Sequence, residues 1–356
     1  MFRLEKRSNP SQMWGALTPI LAVLITMIVG GIMFAILGKD PFVALRTIFW
    51  DPLFNAQFAD YARPQLLVKA GPLILIALGL SMGFRAGIWN IGAEGQYIMG
   101  ALFGAAVGLG FYPLDAWYVF PLMVIAGAIG GFFWAMIPAI LKIRFGTNEI
   151  LVSLMLVYVA EKIMSAMALG AMRNPDGNGF PGSRNFQHYE ASANMELVAG
   201  TGLHWGGITA IIAVVVVAIL MSKHRIGFQI RLSGQAARAA KFAGVNVSVL
   251  VALCLGVSGA LAGLAGLFEL TGPAGQVTTN FNIGYGFTAI IVAFLGRLNP
   301  VGILFAGLLM ALTYIGGELA QFMLGLPSAA IQAFQGMLLF FLLGLDILSN
   351  YRLTRR

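Results

Sequence analysis

The sequence is poor in the residues from which soluble active sites are built. It carries one cysteine, three histidines and only 10% charged residues in 356 positions, whereas a soluble globular domain is about a quarter charged. The lone Cys254 excludes an intrachain disulfide framework and a thiol metal site. His188, His204 and His224 lie in connections or at the ends of apolar runs, and no H-E-x-x-H occurs, so a helical zinc hydrolase is excluded. No G-x-x-x-x-G-K-[ST] occurs either: the one Gly-Lys pair, Gly38-Lys39, is followed by Asp40. The chain therefore lacks a phosphate-binding loop and cannot hydrolyse ATP by that chemistry. No catalytic residue, metal ligand or resident cofactor is expected.

What it has in excess is apolar surface. Hydrophobic residues make up 59% of the chain, and the mean hydropathy is +0.84. Water does not tolerate that surface on a chain of this length, but lipid does. The 45 glycines show no Gly-X-Y period, which excludes collagen; glycine is common in membrane helices, where it lets backbones approach. The net charge of +8 is spread among the connections rather than gathered in a patch. The expected partner surface is membrane lipid, not nucleic acid.

Spanning a bilayer takes about 20 mostly apolar residues. Ten runs qualify as candidates: Trp14–Leu37, Leu66–Gly83, Gln96–Phe111, Trp117–Leu141, Ile150–Ala171, Trp205–Met221, Val249–Leu270, Gly284–Gly296, Val301–Leu319 and Ala329–Leu345. The third and eighth are short, as broken helices around a translocation path often are. Arg3, Lys6 and Arg7 precede a first run longer than a signal-peptide core and without an A-x-A cleavage site, so it reads as a first span. With both termini inside, the inner segments hold 15 Lys and Arg and the outer segments five: Lys39, Arg46, Arg63, Arg173 and Arg184. That bias follows the positive-inside rule. The expected fold is an all-α polytopic membrane protein of about ten helices with two inverted-repeat-like halves. Residues 1–356 are expected to form one transmembrane domain, with an inner N-terminus (1–13), an outer loop (172–204) and an inner loop (222–248).

Several motifs are placed by this frame. Phe84 to Gln96 sets Asn90, Glu94 and Gln96 among three glycines beside embedded helices. Irregular backbone at that depth is tolerated where it is buried in protein or lines a cavity, so the segment reads either as a path-lining or gating element or as a capping loop for the third helix. Asn90-Ile91-Gly92 and Asn282-Ile283-Gly284 open the third and eighth runs in the same way, an echo that an inverted repeat would produce. Gly100, Gly104 and Gly108, Gly127 and Gly131, and Gly259 and Gly263 are each spaced by four, which predicts tight helix packing within the chain. Among ionisable residues in the runs, Glu161 and Lys162 are adjacent and are expected to point about 100° apart. Glu269 and Glu318 read as rim or snorkelling positions. The outer segment Thr271 to Asn282 offers Gln276, Asn280 and Asn282 to a neutral polyhydroxylated substrate, with Phe281, Tyr285 and Phe287 near enough in sequence to stack a sugar or base. In the inner loop, Gln235 to Phe242 predicts a short exposed helix bounded by Gly234 and Gly244.

The segment FRAGIWNIGAEGQ (84–96) resembles the signature of the ABC-transporter permeases for nucleosides and simple sugars, relatives of the ribose and branched-chain amino acid permeases. GQAARAAKFAGVNV in the inner loop is similar to that family's coupling element, and Lys142 to Tyr158 and the GFPGS of the outer loop also fit. The resemblance implies a bacterial inner-membrane subunit paired with a second permease, by family branch a paralogue. It further implies an ATP-binding cassette subunit that binds ATP and Mg, and a periplasmic or lipoprotein substrate-binding protein. It assigns the coupling role to Gly234, Gln235, Ala236, Ala237, Arg238, Ala239, Ala240, Lys241 and Gly244. Two rivals stand beside it. An ion-coupled secondary transporter would use Glu161, Glu269 or Glu318, and an intramembrane serine hydrolase would use Ser258 of Gly256-Val257-Ser258-Gly259, with a histidine base that the runs do not contain.

Overall fold

The structure, a computed structural model, describes residues 2–6, 12–281 and 283–355. Along the chain run β1 (Phe2–Lys6), α1 (Gln12–Ile36), α2 (Pro41–Phe49), α3 (Asp51–Phe54), α4 (Ala59–Arg85), α5 (Ala93–Phe111), α6 (Val119–Phe145) and α7 (Glu149–Leu169). After the outer connection follow α8 (Trp205–Lys223), α9 (Arg225–Gln235), α10 (Ala237–Phe242), α11 (Val247–Glu269), α12 (Tyr285–Leu295), α13 (Pro300–Leu324), α14 (Ser328–Asn350) and β2 (Tyr351–Arg355). The protein is a polytopic all-α membrane protein, and each of the ten apolar runs falls on a helix.

Among the described residues, eight helices (α1, α4, α6, α7, α8, α11, α13 and α14) are long and apolar enough to cross a membrane. The two that fall short are the third and eighth runs. α5 has 19 residues but opens with Glu94 and Gln96, and α12 has 11, about 16 Å against a core of about 30 Å. The two runs read as short are thus the two whose helices do not meet the length and hydropathy of a complete span, and the exact count of ten is not confirmed.

The chain divides into two compact units, residues 1–66 with 308–356, and residues 67–307. In the first, the core is built from Phe34, Ala44, Ile48, Ala320, Leu326, Ala330, Ile331 and Phe334. Phe34 stacks on Phe334 with ring centroids 5.9 Å apart. The helix α2 is absent from the hydropathy reading but legible in its cap: the Asp40 carboxylate accepts from the amides of Phe42 and Val43 at 2.8 and 3.2 Å, with Pro41 at the first helical position. β1 and β2 pair antiparallel, Phe2 opposite Arg355, so the two ends of the chain lie side by side.

In the second unit, α5, α6 and α11 pack along their glycine stripes. A Cβ on Gly100 would collide with Gly263, and one on Gly131 with the carbonyl of Gly259. The spaced glycines thus serve packing inside the chain. Dispersion between closely apposed backbones is the main attraction available to helices in lipid.

The outer connection is ordered by hydrogen bonds onto the segment after α11, which ends in a single π-type turn over Leu270–Ala274. Ser183 N donates to Val277 O at 3.0 Å and Phe186 N to Gly275 O at 2.7 Å. Val277 N in turn donates to Ser183 Oγ at 2.9 Å. Arg184 bridges to Asp176 at 2.7 Å and to the Tyr112 hydroxyl at 3.0 Å.

Candidate functional site

Two interrupted elements meet in the second unit. α4 stops where Gly87 turns to φ +75° and Ile88 N reaches back to Gly83 O at 2.9 Å, a left-handed helix end that glycine permits at no steric cost. Residues 86–92 then run without helix along the first turns of α7. Trp89 N donates to Glu149 Oε1 at 3.4 Å and Ile91 N to Ser153 Oγ at 3.2 Å, while Lys142 pairs with Glu149 from the end of α6.

The second interrupted element passes from the π-turn through residues 275–281 and 283–284 before α12 begins. Phe281 stacks on Tyr97 at 5.3 Å and Tyr285 meets the same ring edge-on at 6.1 Å. At its far end Phe294 stacks on Phe84 at 5.2 Å and on Trp89 at 5.9 Å. Non-helical backbone followed by a short helix thus takes the place of one continuous span; it is buried at Gly275, Val277 and Phe281 and exposed at Thr279, Asn280 and Ile283.

Glu94 joins the two. It is fully buried, and its carboxylate accepts from Gly284 N at 3.1 Å and from Gly286 N. A Cβ on Gly286 would strike the Glu94 backbone. The carboxylate therefore caps α12, a neighbouring helix, rather than its own, using the anion preference of a helix N-terminus. One turn away, Asn90 and Gln96 exchange hydrogen bonds at 2.9 and 3.1 Å, and Asn90 Nδ2 also donates to Ser258 Oγ at 3.0 Å. All three side chains are at most 2% exposed, so they form a closed polar joint between α5 and α11.

That arrangement also uses Ser258 as an acceptor. His204 and His224 cap α8 and α9, His188 sits in a short turn of the outer connection, and among the described residues no hydrogen bond links a histidine to Ser258.

Beside the joint lies a cavity of about 420 Å³ between Glu161, Lys162, Met164 and Ser165 of α7, Ile98 of α5, and Thr279 and Asn280. Glu161 and Lys162 both line it, against the expectation from their 100° separation: their side chains are long enough to converge where a Cβ-level argument parts them. Of the nominated path residues, Asn280 is in this wall; Gln276 is half-buried beside Gly182 of the outer connection; Asn90, Glu94 and Gln96 are in the joint; Asn282 lies outside the described residues. Phe281 and Tyr285 are spent on Tyr97 and buried, which removes them as exposed stacking surfaces. Glu269 is 2% exposed and does not snorkel, whereas Glu318 is exposed.

The inner loop departs from its expected form. The helix spanning Gln235 to Phe242 is two helices: Gln235 closes α9, Ala236 breaks the backbone at φ −150°, and α10 starts at Ala237. Gly234 is not an end but sits inside α9, against the Arg85 carbonyl, where a Cβ would not fit. Gly244 does end α10, at φ +79°. Ala237, Arg238, Ala239 and Lys241 are exposed and Ala240 is buried. Phe242 is 94% exposed; the helical reading covered it, but its role as a protruding aromatic needs the tertiary fold.

A family model described as branched-chain amino acid transport system / permease component matches residues 64–343. The chain is 35% identical to the glucose ABC transporter permease protein TsgB13 of Haloferax volcanii over 94% of its own length and 89% of that protein. It is 30% identical to the nucleoside ABC transporter permease protein NupB of Lactococcus lactis, covering 92% and 90%, and 29% identical to the guanosine ABC transporter permease protein NupP of Bacillus subtilis, covering 91% and 92%. No solved structure matches the chain.

Proposed function

The chain belongs to the permease-component family of branched-chain amino acid transport systems, and from that premise we propose that it is the membrane-spanning subunit of an ATP-driven importer of nucleosides, with simple sugars as the second substrate class. The observation that carries the reading is the pair of interrupted crossings held together at Glu94. Half-helices meeting inside a bundle are how transporters place a polar path through lipid. The curated relatives, named for nucleoside, guanosine and glucose transport, support the substrate classes.

In this reading the whole chain acts as one permease domain in a bacterial inner membrane, multi-pass, with both termini cytoplasmic. It works with a paralogous second permease and a periplasmic or lipoprotein substrate-binding protein. Having no phosphate-binding loop, it depends on a separate cassette subunit for ATP and Mg. The exposed face of α10, with Arg238, Lys241 and Phe242, suits docking on that subunit, because aromatic residues and Arg are enriched at protein interfaces.

The test is reconstitution of the purified assembly in proteoliposomes. ATP enclosed with the cassette subunit is expected to drive uptake of labelled nucleoside, and Arg238→Glu to abolish it. Uptake driven by a proton gradient without the cassette subunit would establish the secondary-transporter reading instead.

A further inference from the structure

The cavity beside α7 plays no part in the joint or in docking at α10. Glu161 stands about 18 Å along α7 from its N-terminus, at roughly 1.5 Å per residue, well inside the span that begins at Glu149. Ionisable side chains at such depth face protein or water and mark function, because lipid does not solvate them. Here two of opposite sign line one cavity. Its volume of about 420 Å³ lies within the roughly 300–1,000 Å³ of small-molecule sites.

The lining is divided by chemistry. Ile98 and Met164 are apolar, and a thioether makes favourable contact with a flat aromatic ring. The polar part pairs a carboxylate, which only accepts, with an ammonium, which only donates. Set side by side, they match a ligand edge that carries an N–H next to a C=O, which is a lactam. Sugar hydroxyls donate and accept at every position and gain nothing from that order. Ser165, Thr279 and Asn280 supply groups that serve hydroxyls.

We propose, building on the importer reading above, that this cavity is a station for a lactam-bearing nucleoside, a 6-oxopurine or uracil nucleoside. Its ring N–H donates to Glu161, its carbonyl accepts from Lys162, and its ribose hydroxyls meet Asn280, Thr279 and Ser165.

ATP-driven uptake of inosine, adenosine and glucose by the complete transporter in proteoliposomes tests this. Wild-type protein is expected to take up inosine. Lys162→Met is expected to lower kcat/KM for inosine about tenfold or more, the worth of one charged hydrogen bond, and to lower the inosine-to-adenosine ratio with it. The binding protein is common to every arm, so its own preference cancels when variants are compared. Lys162→Arg keeps a donor and should retain most of the ratio, while Glu161→Gln should lower it. A loss shared equally by inosine and adenosine marks a structural role and overturns the proposal, as do variants that match wild type. Wild-type uptake of glucose without either nucleoside overturns the lactam assignment and leaves the importer reading standing. No ATP-driven uptake of any of the three removes both.

Discussion

Removing the Glu94 carboxylate gives a direct measure of what holds α12 in place. The side chain is fully buried and accepts the backbone amides of Gly284 and Gly286. Glu94→Ala leaves two donors without their partner in a region that water does not reach freely. Each costs about 1–3 kcal/mol, so the loss is about 2–6 kcal/mol. In a chain of this size that amounts to a fall in Tm on the order of ten degrees. Glu94→Gln keeps one acceptor oxygen and turns an NH2 toward the second amide, so its fall should be intermediate. The assay is built into the protein: Cys254 is its one cysteine and is fully buried, so a thiol-reactive fluorogenic dye reports unfolding in detergent. Below the melting transition, Glu94→Ala should still assemble but should transport poorly, because α12 is no longer tied to α5. A Glu94→Ala Tm within one or two degrees of wild type would refute the capping argument.

The same assay reads two further substitutions. Gly263→Ala inserts a methyl between α11 and the backbone of α6 and is expected to cost about 1–3 kcal/mol by overpacking, whereas Gly336→Ala, with open space around it in α14, should be neutral or slightly stabilising; equal behaviour of the two would refute the packing assignment. Burial holds the His204 imidazole down at about 4, from 6.5, and its Nδ1 accepts from Gly206 N at 3.0 Å. Between those values the unfolded chain binds the proton and the folded chain does not, so stability should fall by about 3 kcal/mol as pH drops from 6.5 to 4. His204→Asn preserves the cap without titrating and should flatten that part of the Tm–pH curve; an unchanged slope would show that His204 is not its source.

The inner loop shows where local reasoning stops. Propensity placed a helix over Gln235 to Phe242, and helix is there, but Ala236 breaks it and Gly234 belongs to α9. Nothing in the local sequence marks Gly234 as a contact residue, because its reason is the Arg85 carbonyl, about 150 positions away. Glu94 is similar. Its position in the first turn of α5 suggested a cap for that helix, yet the amides it accepts lie 190 and 192 residues further on.

What the sequence determined by itself is what depends on bulk composition and local period. Membrane class follows from a chain too apolar for water, helix positions from run length, and glycine packing from a spacing of one turn. Tertiary structure alone decided which helix Glu94 caps, that Asn90 and Gln96 bond to each other and to Ser258, and that Glu161 and Lys162 share a cavity with Asn280. Those are long-range choices: a buried carboxylate or amide must be satisfied, and the partner that satisfies it is whichever backbone the fold brings within reach.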